Sequence, residues 1–517
     1  MPGLTAAETL PLSVPAISPS AAAIILAAGR STRMRSKLPK MLHPLCGQPM
    51  TAHVIRACQQ AGVEKIVVVV GHEADAVKAG LGDSVEYALQ AQQRGTGDAV
   101  QAAKELLGDW SGTILVLAGD VPLLSGTTLA ALLAHHAASG AAATLLTAYL
   151  EDPTGYGRVV RDNNNHVARI VEHKDANEAE RGIKEWNPSL YAFESAALWS
   201  ALSDVRPSNV QGEYYLTDTI GLLAARNARI EALAIGDTMG DTQDVFGVNT
   251  RVELAACASI MRHRLLNALM LAGVSITDPA NTYVDVDVAV GQDTVIEPNS
   301  YLLRGAKIGE DCVIGPLARI ENSQIGDRVR ILASQVVDSV LEDDVKVGPF
   351  ANLRPGTHLG KKVKIGDFVE VKNSHLHEGA QASHLAYIGD AEVGEGANIG
   401  GGVITCNYDG YHKHRTIIGK RVFVGSNSTL VAPVTLGDGA FVAAASAITM
   451  DVPADALGIA RSYPSVKEGW AARYHARQQQ TSRQQASQQQ TSQQDAMAQT
   501  SQNAAGSLPA NEPDLST

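Results

Sequence analysis

Residues able to hold a triphosphate stand just beyond the first apolar run of the chain. There Leu26-Ala27-Ala28-Gly29-Arg30-Ser31-Thr32-Arg33-Met34 is followed by Leu38-Pro39-Lys40. A turn of small residues leaving a strand presents backbone N–H groups to an anion, and Arg33 and Lys40 add positive charge. A second segment, Gln90-Ala91-Gln92-Gln93-Arg94-Gly95-Thr96-Gly97, carries amides that can satisfy both the donor and acceptor edges of a base, with glycines that permit close approach. Taken alone it reads first as a polar loop. Asp120, in Leu117-Ala118-Gly119-Asp120-Val121-Pro122, closes a buried strand, where a carboxylate is costly unless paired or metal-bound. Asp120 is a candidate magnesium ligand, with a turn carboxylate as the alternative.

A second group of chemically capable side chains lies in the C-terminal half: Arg354 in LRPG, Glu370 and Lys372 in FVEVKNS, His384 and Tyr387 in SHLAYIGD, Asn407 and Tyr408 in CNYDG. A protonated amine must lose a proton before it can attack a thioester, and a neutral histidine suits that task. On residue type alone a single histidine is more often a surface or packing residue. His375, His377, His412 and His414 read as solvated.

Certain elements must position these residues. A chain of 517 residues exceeds what one hydrophobic core supports, so two or more domains are expected. From residue 21 to about 249, runs such as AAAIILA, KIVVVVG and TILVLAGD alternate with helical patterns such as TAHVIRACQQAG, the signature of βαβ units around a mostly parallel sheet. Phosphate ligands of such sheets bind beyond the carboxyl ends of the strands. RVELAACASIMRHRLLNALMLAG, ending on Gly273, predicts one long connecting helix.

Beyond that helix the period becomes six. Aliphatic residues stand at Val290, Ile296, Leu302, Ile308, Ile314 and Ile320, at Leu341, Val347, Leu353, Leu359, Ile365 and Val371, and at Ile418, Val424, Leu430, Leu436, Val442 and Ile448. A parallel β-helix has this period, with one hexad per face and three faces per coil. The expected divisions are an N-terminal extension, 1–20, expected to be disordered; an α/β domain, 21–250; a linker helix, 251–274; a β-helix, 275–462; and a tail, 463–517. The tail is disordered on composition from about residue 478, where Gln, Ser, Thr and Ala dominate.

A net charge of −12 argues against nucleic acid or an anionic membrane as partner. Five scattered cysteines, no positively charged leader and no apolar run long enough to span a bilayer fit a reduced, cytoplasmic chain.

The first loop, with its basic residues and the downstream Pro-Lys, resembles the sugar-nucleotide pyrophosphorylase signature, with Ser31 in place of a glycine. The hexads resemble the hexapeptide-repeat family of left-handed β-helices, whose members are trimers with active sites between prisms. GDVP, DPTGYGRVV, IVEHKDA, QGEYYLTD and GVN occur in order, and with them residues from about Ala23 to Arg461 resemble the bifunctional N-acetylglucosamine-1-phosphate uridylyltransferase/glucosamine-1-phosphate acetyltransferases. That resemblance implies a Rossmann-like nucleotidyltransferase domain, a long connecting helix, a left-handed parallel β-helix and a homotrimer. UTP, acetyl-CoA and sugar phosphates are the implied small-molecule substrates, Mg²⁺ the cofactor, and cell-wall and lipid A precursor synthesis the setting.

Carried onto matching positions, Gln90, Gln93 and Gly95 face uracil, and Gly157, Glu172 and Asn187 hold the amino sugar. Leu26, Ala27, Ala28, Gly29, Lys40, Thr96 and Asn249 complete the UTP and product set. Asp120 and Asn249 bind Mg²⁺, while Lys40 and Arg33 counter phosphate charge. Asn187-Pro188-Ser189 departs from the family's usual Asn-Thr-Gly, and Pro188 removes a backbone donor.

In the acetyltransferase half the same resemblance makes His384 the base, Glu370 the residue that orients its other ring nitrogen, and Asn407 the oxyanion stabiliser. Arg354, Lys372, Tyr387 and Asn398 then bind glucosamine 1-phosphate, and Asn407, Tyr408, Ser426, Ala444 and Arg461 line the acetyl-CoA groove. Ala445 stands where glycine is common. The competing expectations are a single-activity nucleotidyltransferase with a structural or regulatory β-helix, and a non-catalytic trimeric scaffold.

Overall fold

The computed structural model describes residues 20–29, 32–236 and 241–505. Residues 1–19 of the expected N-terminal extension, the Ser31 departure and the last twelve residues, 506–517, lie outside the described residues.

The N-terminal half is built on one ten-stranded sheet. Glu86–Leu89, Lys65–Val70, Ala21–Leu26 and Thr113–Ala118 lie side by side and parallel. Beyond them Leu190–Glu194 runs antiparallel to both Thr113–Ala118 and Ala143–Tyr149, and the strands Glu185–Asn187, Gly157–Arg161 and Val167–Val171 continue the antiparallel part. The central strands are buried on both faces, which explains why Val67 to Val70 and Ile114 to Leu117 read as continuous apolar runs rather than alternating ones.

Helix Arg251–Leu271 begins with a capping box, Thr250 accepting from the Glu253 backbone while Glu253 accepts from Thr250, so its first turn is satisfied before any packing is considered. Its middle, at Cys257, packs in a cluster with Leu45, Met50, Leu123 and Val248 of the α/β half. Its end, at Leu266, is buried with Val274 and Val284 in the core of the next domain.

That domain is a left-handed β-helix with three all-parallel faces of 11, 10 and 9 short strands. Of the hexad residues named above, Val290 packs at the edge of its core and the others are buried within it. Chain direction changes at corners where residues take positive φ. One corner column carries Asn322, Asp338, Asn373 and Asp390, residue types that tolerate this region; another carries Leu317, Phe350, Phe368 and Leu385, which do not. Those four are also exposed.

The described residues from 460 onward form a second compact unit. Here the composition misleads: Trp470–Ala505 is one helix. Gln, Ala and Arg are good helix formers, and Thr481, Ser482, Thr491, Ser492, Thr500 and Ser501 each bond the carbonyl four residues back. Its described side chains are exposed, so local hydrogen bonding rather than a buried face accounts for it. Among the described residues no helix is long and apolar enough to cross a membrane.

Candidate active sites

Strands Ala21–Leu26 and Thr113–Ala118 end level with one another, Leu26 opposite Ala118, so the loops after them share one rim of the sheet. Gly119 donates to the Leu26 carbonyl at 3.0 Å, and Asp120 follows directly. The Asp120 carbonyl accepts from Val248 N–H at 2.9 Å, which brings Asn249 to the same rim. Asn249 is fixed in turn by the helix start, its own N–H meeting Glu253 Oε2 at 2.6 Å.

Lys40 joins these two residues. Its Nζ donates to Asp120 Oδ2 at 2.5 Å and to Asn249 Oδ1 at 3.0 Å, and Arg33 Nη2 reaches the same Asn249 oxygen at 2.9 Å. An ammonium held by two converging oxygens marks a position where a hard cation fits: the donors are oxygen only, as Mg²⁺ prefers. The residues present therefore suit the expected ion.

This rim opens on a cleft of about 820 Å³, the size of a pocket for a nucleotide-scale ligand. Leu26, Ala28, Gly29, Arg33, Lys40, Gln90, Gln93, Gly95, Thr96, Asp120, Asn187 and Asn249 all line it, as expected of them. Gln93 is tethered by its amide nitrogen to the Ala28 carbonyl. Gln90 is buried and its amide nitrogen donates to the Gly95 carbonyl at 3.1 Å and to Asp98 at 2.9 Å. Gly95 has φ +118°, and a Cβ there would lie 2.5 Å from the Tyr214 carbonyl, so only glycine fits.

Three expected contacts fall outside this cleft. Ala27 is buried in the core and donates its N–H to Val69. Gly157 pairs with Asn187 across the sheet, and Glu172 packs behind Gly157, bonded to Thr217 at 3.2 Å and lining a separate pocket of about 550 Å³. Burial pushes the Glu172 carboxyl above its ordinary pKa, with Asp175 and Asp218 adding to the shift and Thr217 opposing it.

At the departure from the family pattern, Ser189 has φ +61° and donates its N–H to Asn187 Oδ1 at 3.2 Å. The turn there demands a left-handed residue, which is why glycine is usual and why serine is strained. Tyr156 and Trp186, with ring centroids 4.3 Å apart, also line the cleft. No basic or acidic pattern advertised them; their signal was an aromatic beside the glycines of DPTGYG.

In the β-helix, His384 ends the strand Gln381–His384 at a corner and lies in register with Asp367 of the coil below. Its Nδ1 bonds Asp367 Oδ1 at 2.5 Å. Glu370 was expected in that role, but its Oε1 is held by Arg354 Nη1 at 2.7 Å and its register partner is Tyr387. The two residues between Asp367 and Glu370, Phe368 and Val369, turn a corner at Phe368, and the carboxylate bonded to the ring is that of Asp367.

Asn407 is buried, donating to Asp390 Oδ2 at 2.5 Å and, at 3.5 Å, toward the Tyr387 hydroxyl. Asp390 is itself partly desolvated, but Asn373, Asn407, Lys413 and Lys372 outweigh burial and hold its carboxyl below the ordinary value. Lys372 is pushed below the ordinary lysine value, first by facing Lys413 and then by burial and Arg354. Three cations thus converge, as recognition of a phosphate dianion requires. Asp367, Asp390 and Lys413 escaped the sequence reading.

His384, Ser426 and Ala444 climb the same corner: a Cβ on Gly401 would lie 3.5 Å from that of His384, Asn427 N–H bonds the Gly401 carbonyl, and Ala445 N–H bonds Ser426. Ala445 sits at φ +59°, a glycine-favouring position. Tyr408 is exposed on the loop that bridges back to Lys413. Asn398 lies on the face that ends at His384, not the face of Lys372 and Tyr387, and Arg461 belongs to the second unit.

Residues 23–207 match the MobA-like NTP transferase domain, 287–322 the bacterial transferase hexapeptide (six repeats), and 415–450 the hexapeptide repeat of succinyl-transferase. The chain is 51% identical over 439 residues to the "Bifunctional protein GlmU" of Brevibacillus brevis, which spans 85% of this chain and 94% of that protein. With the protein of the same description from Heliobacterium modesticaldum it shares 48% identity over 457 residues, 88% of this chain and 99% of that one. With that from a Geobacillus species it shares 49% over 451 residues, 87% and 97% of the two chains.

Proposed function

The chain belongs to the bifunctional GlmU family, and from that premise we propose how its residues divide the synthesis of a nucleotide-activated amino sugar. It is both an acetyltransferase and a nucleotidyltransferase. One half moves acetyl from acetyl-CoA to the amine of glucosamine 1-phosphate; the other moves uridylyl from UTP to N-acetylglucosamine 1-phosphate and releases pyrophosphate.

In the first cleft, Gln90 offers its side-chain oxygen to the uracil N3–H, and the Gly95 backbone lies close against the base. Asn187 and the Tyr156–Trp186 wall receive the amino sugar. A phosphate oxygen of the sugar attacks the α-phosphorus of UTP as the bond to pyrophosphate breaks, with Lys40 and Arg33 countering the charge that collects on the leaving group. Mg²⁺, when held by Asp120 and Asn249, supplies further neutralisation of the phosphates. The single observation that carries this reading is the Lys40 ammonium held between Asp120 and Asn249 at the mouth of a nucleotide-sized cleft.

In the β-helix, Arg354, Lys372 and Lys413 take the sugar phosphate, and Tyr387 its ring. Asp367 accepts the Nδ1 proton of His384, which leaves Nε2 as the acceptor for the sugar's amine proton. The nitrogen attacks the thioester carbonyl, Asn407 donates to the developing oxyanion, and the coenzyme A thiolate departs and takes up the proton held by His384. Tyr408, Ser426 and Ala444 line the acetyl-CoA groove. The exposed Leu317, Phe350, Phe368 and Leu385 form an apolar ridge beside His384 that a second prism would cover, which supports a homotrimer with shared sites. The unpaired cysteines support a cytoplasmic setting.

Two substitutions test the division of labour. His384→Ala lowers acetyl transfer by about 10²- to 10⁴-fold and leaves uridylyl transfer intact. Asp120→Ala abolishes uridylyl transfer and spares acetyl transfer. Loss of both activities in either variant, with the fold preserved, sinks the assignment of separate sites.

A further inference from the structure

Around the next corner of the prism a third group of ionisable side chains stands in a column that neither transfer uses. His358, His375 and Glu392 occupy matching register positions in three successive coils, so the β-helix stacks them one above another. The rings of His358 and His375 lie 4.2 Å apart and 4° from parallel, and His377 packs against His375 with centroids 4.0 Å apart. His375 and His377 are not the separate solvated residues expected from the sequence; each, like His358, is half-buried.

The donor atoms converge on one point. Glu392 Oε1 is bonded to His377 Nε2 and lies 3.4 Å from His375 Nδ1. One ligand atom from each of His375, His377 and Glu392 falls within 4.8 Å of the other two. Donors bound tetrahedrally to a common metal at about 2.0–2.2 Å lie roughly 3.3–3.6 Å apart, the separation His375 Nδ1 and Glu392 Oε1 already have. Arg415 binds the other carboxylate oxygen, Oε2, at 2.5 Å and so turns Oε1 toward the imidazoles, as an outer-shell partner does. His358 is bonded to Glu342 at 2.9 Å and acts as a wall, not a ligand.

We propose that His375, His377 and Glu392 form a binding site for a divalent transition metal of the zinc class, which would staple two successive coils together. Two imidazole nitrogens with one carboxylate oxygen, and a fourth position open to solvent, suit zinc and not the all-oxygen preference of Mg²⁺.

Titration of the metal-stripped full chain with zinc chloride, with magnesium chloride in excess, tests the site. One zinc per chain is expected, with an X-ray absorption spectrum showing two imidazole nitrogens. His377→Ala and Glu392→Gln should each weaken binding by at least about 100-fold, since loss of an orienting partner alone costs 10- to 100-fold. His412→Ala, on an exposed residue outside the column, should change nothing. Retained acetyl transfer certifies the fold of each variant. Absence of zinc binding in the parent chain, or binding unchanged in both ligand variants, overturns the proposal.

Discussion

Replacing Asp367 by Ala gives the most discriminating test of how the acetyl-transfer base is held. The His384–Asp367 bond is 2.5 Å long, but the ring is 65% and the carboxylate 38% exposed in the single chain. A pair so open to water is worth about 1 kcal/mol or less, which corresponds to a factor of roughly five. If a neighbouring prism covers the apolar ridge next to it, the pair is desolvated and its worth approaches the roughly 1.5–3 kcal/mol of a hydrogen bond to a charged group, or about 10- to 150-fold. The expected result is a kcat for coenzyme A thiol release reduced about tenfold or more, with KM for glucosamine 1-phosphate little changed because Arg354 and Lys372 are untouched. Glu370→Gln, by contrast, frees Arg354 and should act on that KM. In a double-mutant cycle, Asp367→Ala should add almost nothing to His384→Ala, because its whole effect runs through the ring. Additive losses, or a kcat defect in Glu370→Gln with none in Asp367→Ala, would refute the reasoning.

Gly95→Ala places a Cβ 2.5 Å from the Tyr214 carbonyl at φ +118°, so the loop beside the base must move. With about 1–2 kcal/mol of left-handed strain alone, kcat/KM for UTP should fall about 5- to 30-fold while acetyl transfer is unchanged, and an unaltered UTP profile would remove this loop from base recognition. His53 and His136 are both held below the ordinary imidazole value of 6.5, chiefly by burial. Because the folded state releases a proton that the unfolded state binds, their contribution is fully present above pH 6.5 and declines as pH falls. The urea midpoint of the α/β half should therefore drop between pH 7.5 and 5.5, with a shallower drop in His136→Asn; an equal slope in that variant would count against the assignment.

Much of this was legible before any coordinates. Within the runs 290–320, 341–371 and 418–448 the six-residue period picked out aliphatics that pack in or against the core of the prism, because a strand of two or three residues and a corner leaves no other way to bury them; Ile325, Ile331, Leu376 and Ile399, where shorter coils break the period, were not picked out. Asp120 and Lys40 announced themselves as charges beside buried strands, and both proved to face one another. The antiparallel part of the sheet was less visible, since Leu190–Glu194 and Glu185–Asn187 are too short to show their pairing partner.

Asp367 was missed for a different reason. The coils here repeat at 17 residues, and laying them out at that spacing puts Asp367 beneath His384 and Glu370 beneath Tyr387. Likeness of motif pointed to the glutamate; counting the coil would have pointed to the aspartate. Lys413 sits in a loop outside the hexads, where no period could locate it. The helix of the tail shows that composition bounds what a segment can bury, not what local hydrogen bonds it can form.

The helix Arg251–Leu271 has a consequence for any attempt to cut the chain in two. Its first turn anchors Asn249 through Glu253, its middle is keyed into the α/β half at Cys257, and its last turns plug the open lower end of the prism with Leu266. A break before residue 251 strips the cap from Asn249, and a break after residue 266 takes Leu266 from the prism and leaves an apolar shaft gaping to solvent. Two chemistries can be silenced one at a time, yet the polypeptide between them has no seam: one rod serves as hinge pin for the first and stopper for the second.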